Sequence, residues 1–164
     1  MAFVVPAMVG LDGCAHTGPA NLSESDQDKI AEAVLVYSKS HSSFLGMNQI
    51  TGGYLAVRGD DPSPELLKSL QKDGFHFRPG SEGQGDGYLI SIGPFAPTSS
   101  TTAAGQLSAN SRELGGAIES YIVTRARGRW TVNGYQLLEI LVVATPAAYM
   151  PGKHITGPAM LAAK

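Results

Sequence analysis

Ala117-Ile118-Glu119-Ser120-Tyr121-Ile122-Val123-Thr124-Arg125-Ala126-Arg127-Gly128-Arg129-Trp130-Thr131-Val132-Asn133-Gly134-Tyr135-Gln136-Leu137-Leu138-Glu139-Ile140-Leu141-Val142-Val143 decides the fold. Two runs rich in β-branched and aromatic residues flank Arg127-Gly128, a pair suited to a two-residue hairpin turn. The spacing predicts strands over residues 117–126 and 129–143 and fixes their register. Thr124 faces Thr131, Val123 faces Val132, and Arg125 faces Trp130. Side chains alternate with period two, so Tyr121, Val123, Arg125, Trp130 and Val132 share one face. That face is expected to be the core face, with Arg125 reaching over the only tryptophan. Gly134 marks an expected bulge ahead of Leu137 and Leu138.

Upstream, Ile30, Ala33, Val34 and Tyr37 recur at helical spacing over residues 26–41, with Ser23 and Ser25 as candidate N-caps. Residues 49–58 read as a strand, and Gly52-Gly53 marks a bulge or a close backbone approach. Asp60-Asp61-Pro62-Ser63-Pro64-Glu65 leads into a second helix. Ser63 caps it, Pro64 suits its first position, and Leu66, Leu67 and Leu70 form its stripe. Gly74 ends it. Residues 75–78 and 88–92 read as short strands around a polar loop at 80–87, and a weaker strand runs over about 101–108. Two early helices followed mainly by strands predict an α+β domain. The expected form is a curved antiparallel sheet of four to six strands packed against two helices of the N-terminal half. Asp61-Pro62-Ser63-Pro64-Glu65-Leu66-Leu67, Arg78-Pro79-Gly80-Ser81-Glu82 and Gly128-Arg129-Trp130-Thr131-Val132 resemble segments of uncharacterised bacterial envelope, lipoprotein-like proteins. Over about residues 26–142, the resemblance implies a cystatin-like or nuclear-transport-factor-like domain. It supplies no catalytic residues.

The 164 residues suffice for one ordinary domain. Charged residues are 16% of the chain, and 12 basic against 14 acidic residues give a net charge of −2. Nothing in that balance points to nucleic acid or to an anionic membrane. Gly 20 and Pro 10 favour many turns and argue against a helical bundle. The single cysteine, Cys14, permits no intramolecular disulfide. Ahead of it lies an apolar, uncharged stretch from Ala2 to Leu11, and a small-residue polar stretch follows from Ala15 to Ser25. That order resembles a bacterial lipoprotein signal, with Cys14 as the lipidation site and a membrane tether. Two features depart from the pattern: no Lys or Arg precedes Lys29, and Asp12 stands where small apolar residues are usual. The expected organisation is an export-signal-like or flexible segment over 1–25, one domain over 26–143, and an irregular Pro/Gly-rich tail over 144–164.

Three groups of side chains are candidate sites. His76 and Arg78 share a strand face about 7 Å apart, and Glu82 follows in the loop. A proton carrier, a cation for an oxyanion and a carboxylate to orient the imidazole make a possible catalytic set. Simple alternation gives the plainer reading, with Phe75 and Phe77 inward and His76 and Arg78 in water. Arg125, Arg127 and Arg129 form a basic hairpin tip able to dock phosphate or an acidic partner. Arg58-Gly59-Asp60 spells an adhesion tripeptide, but its place before a helix cap explains it. The four histidines make no ligand spacing, so no metal site and no cofactor are expected. The first functional expectation is a non-catalytic, envelope-associated domain binding a protein partner or small ligand; a cytoplasmic location is the alternative. One alternative function is a small pocket enzyme of hydrolase or isomerase type using His76 and Arg78. The other is an accessory subunit whose tail, with Met150, Met160 and Leu161, wraps a neighbour.

Overall fold

A computed structural model of the chain describes residues 21–41, 52–83, 87–111 and 115–141. Helix α1 runs Glu24–His41, strand β1 Gly52–Val57, helix α2 Pro64–Lys72 and strand β2 His76–Pro79, closed by a 3-10 turn at Gly80–Glu82. Strands β3 (Tyr88–Ile92), β4 (Ala96–Pro97), β5 (Thr102–Ser111), β6 (Gly115–Ala126) and β7 (Arg129–Leu141) follow. The caps are those the sequence announces. Ser63 Oγ accepts from Leu66 N at 3.1 Å with Pro64 behind it, and Gly74 leaves α2 at φ 81°. At α1 the cap is Ser23, whose Oγ accepts from Asp26 N at 3.1 Å.

The strands form one seven-stranded sheet in the order β2-β1-β3-β5-β6-β7, with β4 on β5. This corrects the expected curved antiparallel sheet of four to six strands. The sheet is mixed and open, because β1 pairs parallel with both β2 and β3. The cause is local. Helix α2 carries the chain from the end of β1 back to its beginning, so β2 must run alongside β1 in the same direction. Only from β3 onward are neighbours antiparallel. Gly53 lies within this parallel part at φ 122°, where an added Cβ would stand 2.6 Å from the Tyr88 carbonyl oxygen. The close approach expected of Gly52-Gly53 is therefore that of β1 to its two neighbours, Gly53 to Tyr88 of β3 and Gly52 to His76 of β2.

The hairpin has the register read from the sequence, Thr124–Thr131, Val123–Val132 and Arg125–Trp130. Arg127 and Gly128 both have positive φ, 51° and 77°, as a two-residue turn of this kind requires. Two bulges interrupt β7: Asn133 is skipped between Val132 and Gly134, and Leu138 between Leu137 and Glu139. Both helices cover the same face of the sheet. Ile30, Val34 and Leu35 of α1 and Leu66 and Leu70 of α2 join Leu55, Ile90, Leu107, Tyr121, Val123 and Trp130 in one apolar cluster. A polar clamp fixes α1 to the strand connection. The Gln27 side chain donates to Phe95 O at 2.9 Å and accepts from Phe95 N at 3.0 Å. The Phe95 ring packs on Gly105, where a Cβ would meet it at 2.8 Å.

Candidate functional site

The alternation of β2 sends Phe75 and Phe77 into the core and leaves His76, Arg78 and Glu82 exposed. Arg78 lies over the Tyr54 ring, 4.6 Å from its centroid, and donates to the Tyr54 hydroxyl at 2.8 Å. His76 edges a hollow of about 330 Å³ lined by Leu67, Lys68, Gln71, Phe75 and Phe77, with no carboxylate. Among the described residues no hydrogen bond or ion pair joins His76 to Glu82 or to Arg78. The structure thus places the three near one edge of the sheet without assembling an acid–base pair.

At the other edge, Arg125 stacks 5.9 Å from the Trp130 ring and pairs with Asp26 at 3.7 Å. The Trp130 indole also donates to Asp26, at 3.2 Å. This hydrogen bond, aided by Ser23 and by the nearby Arg125 and Lys29 charges, holds the Asp26 carboxyl below its ordinary range against the opposing effect of burial. Arg125 is therefore committed to fastening α1 onto the hairpin. Arg127 and Arg129 remain exposed at the tip. Arg58-Gly59-Asp60 is a tight turn, with Gly59 at φ 86° and Asp60 bridged back to Val57.

One buried polar group escaped the sequence reading. Glu119 is 2% exposed and Tyr121 1%. The Tyr121 hydroxyl donates to the Glu119 carboxylate and lies 2.7 Å from Ser38 Oγ, which itself donates to Val34 O at 2.8 Å. Burial, reinforced by the bond to Glu119, pushes the Tyr121 phenol far above its ordinary range. The signal was available: Glu119 has the parity of Tyr121 and Val123, so it had to share their inward face. Around this network, Tyr37 stacks on His41 with centroids 4.0 Å apart, and Tyr135 meets both Tyr37 and Tyr121 edge-on or stacked. Between the helices, Asp28 accepts from Ser63 at 2.6 Å and Glu32 from Ser69 at 2.5 Å, so these two carboxylates tie α1 to α2.

A second candidate surface lies at the β7 end of the sheet. β7 ends the sheet, and its outer side has no neighbouring strand among the described residues. The exposed large hydrophobic side chains of the described residues are Val36, Ile122, Tyr135, Leu137, Leu138 and Ile140. Four belong to β7, Ile122 to adjacent β6, and Val36 to α1, the helix over β7. Ile140 is 47% exposed and Leu138 44%. Long apolar edges are ready templates for pairing, and soluble proteins ordinarily blunt them with Lys or Pro. β7 has neither.

Among the described residues no three His, Cys, Asp or Glu side chains cluster as metal ligands, and no helix is long and apolar enough to cross a membrane. Cys14 and residues 144–164 lie outside the described residues. Comparison with protein-family models, with curated proteins and with solved structures finds no match to this chain.

Proposed function

We propose that this chain is a non-catalytic domain of the bacterial cell envelope that binds a protein partner along β7, the end strand of its sheet among the described residues. One observation carries the reading: the exposed large hydrophobic side chains among the described residues are all on β7 or on the two elements touching it. Edge strands bind extended segments through main-chain hydrogen bonds, while flanking apolar side chains add area and selectivity. The separated state of His76, Arg78 and Glu82 supports binding over catalysis. The envelope location rests on the stretch ending at Cys14, and mass spectrometry of the native protein reads it directly. An acylated Cys14 at a new N-terminus is expected; an unmodified Met1 on the cytoplasmic protein overturns that location.

The docking surface is tested by photo-crosslinking in cells. A benzophenone amino acid replaces Leu138 in one variant and Lys72, on α2, in another. The expected outcome is an adduct of one fixed mass at position 138, none at 72, and loss of the adduct on adding Ile140→Glu. No adduct at 138, or equal adducts at both positions, overturns the reading.

A further inference from the structure

The partner follows from the pattern of β7 itself, given the edge-docking reading above. We propose that it is a second copy of this chain. The two β7 strands pair antiparallel about a two-fold axis at Asn133–Gly134, joining the two sheets into one. An isologous contact of this kind needs a strand complementary to its own reverse. β7 has that property. Its only charges are Arg129 and Glu139, of opposite sign and near opposite ends. Both project from the face away from the helices, because their β6 partners are Ala126 and Ile118 while the intervening Tyr121 and Val123 point into the core.

Leu138 is left out of the ladder by its bulge. With Leu138 skipped, Arg129 of one copy faces Glu139 of the other, and Thr131 faces Gln136. On the helix side Trp130 faces Leu137 and Val132 faces Tyr135. Each pair matches in face and in chemistry, and such cross-strand pairs are the units of sheet stabilisation. The second bulge, at Asn133, falls on the axis, so the two bulges meet each other rather than interrupting a ladder. The opposite edge of the sheet has no such pattern: β2 is four residues long and its exposed side chains are His76 and Arg78. Pairing also brings α1 of each copy beside the junction, where Val36 is exposed.

Sedimentation equilibrium of the full chain over a wide concentration range tests the inference. A concentration-dependent dimer is expected. Arg129→Glu and Glu139→Arg each set like charges opposite one another and should weaken it about tenfold or more. The double variant restores the pair and should recover the dimer. Both positions are exposed, and circular dichroism and thermal unfolding verify that each variant folds. A monomer at every concentration overturns the inference, as does a dimer indifferent to either single reversal or a double variant as weak as the singles. A monomer whose Leu138 crosslink captures a different protein, or residues 142–164 of the same chain, also overturns it. Of these, capture of a different protein leaves the docking reading standing; with no intermolecular adduct and no dimer, both fall.

Discussion

Asp26 sits where three interactions converge: it accepts from the Trp130 indole, faces Arg125 and closes the first turn of α1 beside Ser23. Its carboxyl is held below the ordinary range, so its contribution is fully present above the unfolded-state value, near pH 4. That contribution is lost as pH falls through the lower, folded-state value. Asp26→Asn should therefore destabilise the protein at neutral pH, with the difference from the parent shrinking on acidification. Chemical denaturation at neutral pH and at about pH 3 checks this; a gap that grows on acidification contradicts the assignment. Trp130 is buried on the same contact. Trp130→Ala removes the ring and the hydrogen bond together and should cost about 3–5 kcal/mol by equilibrium unfolding. A loss below about 1 kcal/mol would place the ring outside the core.

At the scale of elements, α2 and the β6–β7 hairpin were legible because their signals are local. Ser63, Pro64 and Gly74 punctuate one, and Arg127-Gly128 with flanking alternation sets the other. Strand direction is a different matter. Period-two alternation is identical in parallel and antiparallel strands, so β1, β2 and β3 were read as strands but not as a parallel set. The strand–helix–strand order of β1, α2 and β2 carried the missing information. β4 is two residues long and has no periodicity to read. In the candidate site, Arg78 was found but its commitment to Tyr54 depends on parallel pairing across β1 and β2. Glu119 is legible by parity, although an acid is an unexpected core residue. Gly53 tests the parallel arrangement. Gly53→Ala places a methyl group against the Tyr88 carbonyl at positive φ and should destabilise by about 1–3 kcal/mol. Gly128→Ala, at a turn with nothing within 4 Å, is the open-space comparison; an equal or larger loss there argues against crowding between β1 and β3.

Across the whole molecule, contacts join regions far apart in the chain. The helix nearest the N-terminus among the described residues packs against the last two strands, with Asp26 bound to Trp130 of β7 and Ser38 to Tyr121 of β6. A ribosome adds about 5–20 residues each second. The 104 residues separating Asp26 from Trp130 thus correspond to about 5–20 s of synthesis. Throughout that interval α1 has been made while the strand that holds Asp26 has not. Before the hairpin emerges, α1 can reach its α2 and Phe95 contacts but not its Trp130 anchor, and a product truncated before Arg129 would lack the strand that fastens the first turn of that helix.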